Sequence, residues 1–345
     1  MKETSEDCWN LNKDTLFVKP QKKSPLVLRM VVLVFVMICI VYIFSVCSKQ
    51  IGTYARPRIV DIQVNVIDQP CQSSESEIPY AHFPEPTTYS REECACTPVR
   101  YFVILSMQRS GSGWFETLLN SHQNISSNGE IFSVRERRSN ISAIIQTLDK
   151  VYNLDWRSSA SKNECTSALG FKWMFNQGLM EYHEEIVEYF NRKGVSAIFL
   201  FRRNLLRRLI SILANSYDQK AKQLNGTHKS HVHSRDEADI LARYKPEINS
   251  TLLIPNLKHT QEWTSDAVEY FNSTRHIVLY YEDLVKYTNL LHVQEFLKVP
   301  AMQLTSRQVK IHTRPLSDQV TNWDDVYKTL KGTEYETFLN TDYQL

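Results

Sequence analysis

Four apolar runs, separated by stretches with helical spacing, constrain the fold of this chain more than any other feature. The runs are rich in β-branched and aromatic residues, and they read as strands at 101–107, 168–174, 196–201 and 276–281. Helix-like periodicity of apolar residues occupies 113–123, 179–193 and 205–222. Continuous apolar strands are typical of a parallel sheet that is covered on both faces. The alternation therefore predicts an α/β fold, a doubly wound parallel sheet flanked by helices.

An apolar segment near the N-terminus, 26–46, carries no charge from residue 30 onward. Seventeen helical residues span about 26 Å, close to the thickness of a secretory-pathway bilayer. A cleaved signal peptide would have a shorter apolar core that ends in small residues, whereas this one continues into Cys47, Ser48 and Lys49. The segment predicts an uncleaved signal-anchor, a single transmembrane helix at 26–46.

Positive charge is biased toward the N-terminal side of this segment. Five Lys and Arg residues lie in 10–29, and three lie in 47–66. The side with more positive charge usually faces the cytosol. We therefore expect a type II topology, with a cytoplasmic tail at 1–25 and the bulk of the chain in the lumen.

Two features agree with a lumenal location. Acceptor sequences for N-glycosylation occur at Asn124, Asn140, Asn225, Asn249 and Asn272. Four cysteines lie well beyond the apolar segment and its flank at Cys47, namely Cys71, Cys94, Cys96 and Cys165. An oxidising compartment allows them to pair, and four cysteines permit three connectivities, which stay open. The Cys94-x-Cys96 spacing does not suit zinc, so no metal site is expected.

Proline is concentrated in one part of the chain. Six of the 12 prolines fall between Pro57 and Pro98, and none falls between residues 99 and 245. Such a segment is typical of an extended connection. We therefore expect a stem at 47–98 and one globular domain at 99–345.

A loop that follows the first apolar run has the strongest chemical signal. The run leads into Gln108, Arg109, Ser110, Gly111, Ser112 and Gly113, and a helix follows. The chain has only nine glycines, so two of them in one short loop are informative. Glycines let backbone amides surround an anion, the helix start adds a positive dipole, and Arg109 adds a charge. The loop predicts a site for phosphate or sulfate, and the alternative is an ordinary turn capped by Ser110 or Ser112.

The sequence excludes several other classes. No glycine is followed by lysine, so the phosphate-binding loop of nucleotide hydrolases is absent. The dinucleotide fingerprint is absent as well, because Glu116 stands where its third glycine would be. With 40 basic and 38 acidic residues the formal net charge is +2, which argues against a general nucleic-acid binder.

The loop 109–114, which ends in Trp114, resembles the 5′-phosphosulfate loop of the PAPS-dependent sulfotransferases. These enzymes use 3′-phosphoadenosine 5′-phosphosulfate (PAPS) as the sulfuryl donor. A second motif of the family, a strand followed by Arg and then by Ser eight residues later, is matched by Arg203 and Ser211. The resemblance implies a P-loop-like doubly wound fold, PAPS as co-substrate with no metal, and a role for Arg203 and Ser211 in binding the 3′-phosphate of PAPS.

Further segments extend the resemblance over roughly 100–330. The stretch 118–130, which ends in Gly129 and Glu130, looks like the nodulation-factor and related carbohydrate sulfotransferases. The segments 168–173, 280–284 and 319–323 resemble other parts of the same family. The tail, the apolar segment and the stem have no counterpart in it. The resemblance implies a sulfotransferase domain at 99–345 whose acceptor is a carbohydrate.

The resemblance also implies roles for individual residues. Glu130 is expected to be the base that takes the proton of the acceptor hydroxyl, with His122 as the weaker alternative. Arg109 is expected to stabilise charge on the transferring group. Lys172 lies in an apolar strand, so it either faces the reacting group or extends its amine to solvent at the strand end.

Two regions leave alternatives open. Lys310 and Arg314 precede the segment 319–323 and are expected to contact the donor. His228, His231 and His233 form a cluster in a polar stretch, which we interpret as a mobile loop and not as a metal site.

The main hypothesis is therefore a Golgi type II membrane glycoprotein that sulfates a carbohydrate in the secretory pathway. A tyrosyl-protein sulfotransferase would have the same topology and chemistry. A non-catalytic membrane protein that binds glycans or anions on this fold is the second hypothesis. A phosphoryl-transfer enzyme is the third, and the missing Gly-Lys pair disfavours it. The sequence predicts neither the acceptor's identity nor the oligomeric state.

Overall fold

The computed structural model describes most of the chain, namely residues 26–52, 75–162, 165–286 and 290–340. The predicted tail at 1–25, part of the predicted stem at 53–74 and Cys71 with it lie outside the described residues. The chain divides into two compact units, Met1–Asp68 and Gln69–Leu345. Each unit is therefore considered by itself.

The first unit contains one described helix, α1, at Leu26–Gly52. It covers the predicted anchor at 26–46. Large apolar side chains are exposed along it, from Met30 at 59% to Ile43 at 60%. Within residues 26–52 and the other described ranges, no helix combines the length and the apolar character needed to cross a membrane.

The second unit is built on a parallel sheet of six strands. They are β1 Arg100–Ser106, β2 Ile125–Ser127, β3 Ala168–Gly170, β4 Lys172–Met174, β5 Val195–Phe201 and β6 His276–Tyr280. The order across the sheet is β2-β3-β1-β5-β6, and β4 pairs with β1. All of these pairings are parallel. The predicted α/β architecture is confirmed.

Ten helices of the described part of this unit connect and flank the strands. Their bounds are α2 Ser112–Asn120, α3 Ile141–Tyr152, α4 His183–Lys193, α5 Leu205–Ala221, α6 Arg235–Leu241, α7 Ser250–Tyr270, α8 Tyr281–Lys286, α9 Leu291–Phe296, α10 Trp323–Leu330 and α11 Thr337–Asn340. Side chains of β1 point alternately to the two faces of the sheet. Val103 and Leu105 join a core that includes residues of α3 and α4, while Phe102 and Ile104 join one that includes residues of α2 and α9. Both faces of the sheet are therefore covered.

Three details of the strands differ from the sequence-based prediction. The predicted strand at 168–174 is divided into β3 and β4, and Gly170 at the break lies so close to Phe102 that a Cβ there would be 2.4 Å from its carbonyl oxygen. Strand β2 was not predicted from the sequence, because its three residues Ile125–Ser127 include two serines and carry little apolar signal. Strand β6 is only partly buried, with Val278 at 39% exposure, because it lies at the edge of the sheet.

Residues 75–98 pack on the domain, although the proline distribution assigns them to the stem. The carboxylate of Glu77 forms ion pairs with Arg100, Arg275 and Lys298 at 3.6–3.8 Å. A disulfide joins Cys94 to Cys165, one of the pairs that the sequence left open. The described part of the predicted stem therefore differs from an extended linker, because ion pairs and a covalent bond attach it to the sheet domain.

The same segment makes stability sensitive to acid. His82 stacks on Tyr101 with ring centroids 4.0 Å apart, and burial, together with the charges of Arg100 and Lys193, lowers the pKa of His82 to about 4. The unfolded chain binds this proton near pH 6.5, so stabilisation present above that pH is lost as the pH falls toward 4. At pH 5 the free energy of unfolding is expected to fall by about 2 kcal/mol through this residue.

Urea unfolding at pH 7 and pH 5 measures this effect. The variant His82→Phe keeps an aromatic ring on Tyr101 and has no proton to bind. Its loss of stability between the two pH values should be smaller than that of the parent chain. Equal losses in both proteins would contradict the assignment.

Candidate active site

The loop between β1 and α2 turns sharply and brings its backbone close to two rings. Arg109 and Gly111 have positive φ angles of 64° and 89°. A Cβ on Gly111 would lie 2.2 Å from the ring of Tyr281, and a Cβ on Gly113 would lie 2.4 Å from the ring of His231. Any side chain at either position would collide with these rings, so the loop requires glycine twice.

The start of α2 is arranged as an anion site. Gly111 precedes the helix, and no side chain caps it there. Ser110 is 1% exposed, and its buried Oγ has no hydrogen-bond partner. The first amides of a helix have no carbonyl partner within it, and the helix dipole favours negative charge at this end. A phosphate or sulfate group would satisfy both the amides and the Ser110 hydroxyl.

A cavity of about 510 Å³ opens beside this loop. Its lining comes from residues at the C-terminal ends of several strands, including the loop after β1, Glu130 after β2, Arg202 after β5 and Tyr281 after β6. Open α/β sheets bind ligands at this edge. The volume lies in the range of small-molecule sites.

Arg109 connects the parts of this cavity. Its Nε donates to the Ser211 Oγ at 2.8 Å, and its Nη1 donates to the carbonyl of Ser230 at 2.8 Å. Burial and the neighbouring charge of Arg202 lower the pKa of Arg109 to about 10, so it remains protonated at neutral pH. The loop 108–113 and Ser211, the serine of the second motif, are therefore joined by the Arg109 side chain.

Further positive charge surrounds the cavity. Arg202 donates to the carbonyl of Arg109 at 3.2 Å, and Arg208 donates to the carbonyl of Gln108 at 3.0 Å. Burial, followed by the charges of Arg109, Arg202, Arg207 and Lys310, lowers the pKa of His312 to about 3. His312 is therefore neutral at pH 7 among four cations. Such a concentration of positive charge suits a ligand with several negative charges.

His231 lines the cavity beside Gly113 of the loop. His231 is exposed as a residue, yet the protein atoms around its imidazole, with the charges of Lys172 and Arg109, lower the pKa of His231 to about 4. The imidazole is therefore neutral at pH 7. It lies beside Gly113, where it helps to form the wall of the cavity.

Two carboxylates and one amine lie together on the side of the cavity formed by β2 and β4. Lys172 is 7% exposed, and its Nζ lies 3.4 Å from the Glu116 Oε2 and 3.6 Å from the Glu130 Oε2. The Glu130 Oε1 accepts a 2.5 Å hydrogen bond from the Gln177 Nε2. Glu130 is the more accessible carboxylate, with a side-chain exposure of 33% against 10% for Glu116. Glu130 can therefore reach a bound hydroxyl while Lys172 stays buried.

The structure brings most of the predicted site residues into one cavity. Those that line it are Arg109, Gly111, Ser112, Gly113, Trp114, Glu130, Lys172 and Ser211. Lys310 lines it too, and Ser110 lies buried at its loop. Lys172 faces the carboxylates and does not extend to solvent.

Other predicted residues lie elsewhere. Arg203 does not line this cavity: it pairs with Asp283 at 2.5 Å and packs over the ring of Tyr280. Arg314 is exposed, and its carbonyl accepts a hydrogen bond from Gln319. His122, the alternative base, is 1% exposed and its Nε2 contacts the carbonyl of Pro300 at 2.8 Å. The segment 319–323 packs against the backbone of Ile248 through Asn322.

The histidine cluster is separated by the fold. His228 Nδ1 lies 2.6 Å from the Asp218 Oδ2, while His231 faces the donor loop. Among the residues that the structure describes, no group of three or more His, Cys, Asp or Glu side chains is arranged to hold a metal ion.

Several residues in or next to the cavity have no signal in the sequence. Glu116 is one polar residue in an amphipathic helix, and Gln177 follows a strand. Arg202 stands next to Arg203 after the same apolar run, and only the direction of the side chains distinguishes the two. His312 and Tyr281 come from the C-terminal third of the chain, and the fold brings them to the loop.

Comparisons with known proteins find a relative in sequence. No protein-family model matches the chain. Nodulation protein H of Rhizobium meliloti is 24% identical over 253 residues, which cover 70% of this chain and 95% of that protein. The match extends over nearly the whole of the relative.

Two solved structures share a partial likeness. The sulfotransferase domain from the curacin biosynthetic pathway covers 64% of this chain and 81% of its own, with a TM-score of 0.34 and 17% identity. Mouse sulfotransferase SULT7A1 complexed with PAP covers 58% of this chain and 60% of its own, with a TM-score of 0.32 and 14% identity.

The relationship to nodulation protein H agrees with the resemblance of segment 118–130 to nodulation-factor sulfotransferases. The match in sequence therefore agrees with the predicted relationship to the sulfotransferases.

Proposed function

We propose that the chain transfers a sulfuryl group from PAPS to a hydroxyl of a secretory-pathway acceptor, a carbohydrate. The observation that carries this proposal is the meeting of a cationic anion-binding loop with an accessible carboxylate in one cavity. Arg109 of the loop and Glu130 both line it. A binding protein would need the cations alone, whereas transfer to a hydroxyl also needs a base.

The donor is proposed to bind along the row of cations. The amides of 111–113 and the hydroxyl of Ser110 would hold the 5′-phosphosulfate, because no side chain caps the start of α2 and the Ser110 Oγ has no hydrogen-bond partner. Ser211 and Arg202, which both line the cavity, would hold the 3′-phosphate. This placement is supported by the hydrogen bond from Arg109 to Ser211 and by the lining of the cavity.

The transfer step is proposed as an in-line displacement at sulfur. Glu130 accepts the proton of the acceptor hydroxyl while its oxygen forms a bond to sulfur. The bond between sulfur and the 5′-phosphate oxygen breaks, and 3′-phosphoadenosine 5′-phosphate (PAP) leaves with the electron pair. Lys172 and Arg109 line the same cavity, so they are placed to stabilise negative charge on the sulfuryl oxygens.

The test is transfer of [³⁵S]sulfate from labelled PAPS to a panel of oligosaccharides, glycolipids and tyrosine peptides. We expect label in one or more carbohydrates with the parent chain. Label in tyrosine peptides alone would replace the carbohydrate acceptor by a protein one. Donor binding without transfer to any acceptor would favour a non-catalytic anion-binding protein.

The proposed location is the Golgi, with the domain in the lumen. The disulfide between Cys94 and Cys165 supports an oxidising compartment. Four of the five glycosylation candidates, Asn140, Asn225, Asn249 and Asn272, are exposed, and Asn124 is half-buried. Protection of the domain from added protease in sealed microsomes tests this location, and digestion without detergent would contradict it.

A further inference from the structure

Glu116 has two separate sets of partners, one at each carboxylate oxygen. Its Oε2 lies 3.4 Å from the Lys172 Nζ. Its Oε1 accepts a hydrogen bond from the Ser127 Oγ at 2.7 Å and another from the backbone N–H of Gly129 at 2.9 Å. Glu116 is 7% exposed as a residue, so its carboxylate is too buried to contact an acceptor that binds from solvent. Its partners, therefore, decide what it does.

The partners of the Glu116 Oε1, Ser127 and Gly129, belong to the backbone segment that leads to Glu130. Gly129 immediately precedes Glu130, and its φ of 77° is a turn conformation that favours glycine. The carbonyl of Gly129 accepts a hydrogen bond from the Lys172 N–H at 2.9 Å. Glu116 belongs to α2, the helix that begins at the anion loop. Its bonds to Ser127 and Gly129 therefore connect the helix of the donor loop to the segment of the proposed base.

Lys172, the partner of the Glu116 Oε2, is shared between two carboxylates. Its amine lies at nearly equal distances from Glu116 and Glu130, 3.4 Å and 3.6 Å. A buried amine requires a negative partner. Glu116 supplies one from a buried position in α2. Without that charge, Glu130 would be the sole carboxylate on Lys172 and would be drawn toward it. It would then be less available to a hydroxyl.

We propose that Glu116 is a positioning residue of the active site, which holds Lys172 and the segment before Glu130 so that Glu130 faces the acceptor. The inference rests on the proposed function. It assigns Glu116 no contact with donor or acceptor. Its effect is therefore expected in turnover and not in donor binding.

The variant Glu116→Gln separates the two sets of partners. The amide oxygen can still accept from Ser127 and Gly129, whereas the negative charge beside Lys172 is removed. We expect kcat to fall about 10- to 100-fold, the effect of a small misplacement of a reacting group. The Kd of PAP is expected to stay within about twofold, since Glu116 does not line the cavity. The control is Glu136→Gln, the same change at an exposed residue, with unchanged kcat.

A double variant tests whether Glu116 acts through Lys172. Lys172→Gln removes the amine, and adding Glu116→Gln to it leaves two neutral amides that can bond to each other. If Glu116 works by holding Lys172, the double variant should be no slower than Lys172→Gln alone. The double variant also has no unpaired buried charge, so it provides the measurement even where Glu116→Gln alone fails to fold.

The outcomes separate this inference from the proposed function. Absence of sulfate transfer by the parent chain overturns both. Transfer by the parent with unchanged kcat in Glu116→Gln overturns only the role of Glu116. A parallel loss of PAP affinity, or losses that add in the double variant, also overturns it, because these results indicate a purely structural residue.

Discussion

Replacing Arg109 with alanine is expected to weaken the binding of PAP by about 10- to 150-fold, the cost of one hydrogen bond to a charged group. Arg109 holds a positive charge in the cavity, and it also bonds to Ser211 and to the carbonyl of Ser230. The variant therefore loses charge and the connection between two walls. Isothermal titration calorimetry with PAP measures the change in Kd.

Two further arginines serve as comparisons for this measurement. Arg135→Ala changes an exposed residue, and its Kd should match that of the parent. Arg203→Ala removes the arginine that the family motif assigns to the 3′-phosphate, but in the structure this side chain pairs with Asp283. We expect Arg203→Ala to weaken the binding of PAP less than Arg109→Ala does. Parent-like affinity in Arg109→Ala would refute the placement of the donor.

Replacing Glu130 with glutamine is expected to lower kcat for sulfate transfer by about 10²- to 10⁴-fold, the contribution of a general base. The amide is nearly the same size and can still accept the hydrogen bond from Gln177, so the loop should keep its shape. It cannot take a proton. Initial rates of label transfer at saturating PAPS measure the loss.

Donor binding is the control for the Glu130 variant. Because Glu130 acts on the acceptor, the Kd of PAP in Glu130→Gln should remain within about threefold of the parent value. A variant that turns over at the parent rate would remove Glu130 as the base. His122 does not replace it in that case, since its ring is 1% exposed and contacts Pro300.

The central strands were predictable because their residues carry their own signal. β1 and β5 are fully buried runs of apolar residues, and burial on both faces of a parallel sheet leaves no polar alternation to confuse the pattern. β2 was not predictable, since Ser126 and Ser127 are held by hydrogen bonds to Thr166 and Glu116 and not by apolar packing. Its pairing with β3 depends on residues about 40 positions away in the chain.

The candidate site likewise contains residues that the sequence predicts and residues that only the fold brings together. The loop 108–113 is local, so its glycines and Arg109 predicted an anion site, and in the structure this loop leads into an α2 start that no side chain caps. Which of Arg202 and Arg203 faces the cavity is decided by contacts with Tyr281, Glu282 and Asp283 far along the chain. The pairing of Lys172 with Glu116 likewise joins a strand to a helix and cannot be read from spacing. Local chemistry is therefore predictable here, and side-chain direction is not.

The most direct test of the account measures both products of the proposed reaction together. The protein is incubated with [³⁵S]PAPS and the same panel of acceptors, in the presence of EDTA, and the labelled acceptor and PAP are quantified over time. We predict one PAP for each sulfate transferred, at a rate that falls in Glu130→Gln. Release of PAP without label in any acceptor, or release of inorganic phosphate from nucleotides in its place, would contradict sulfuryl transfer as the function.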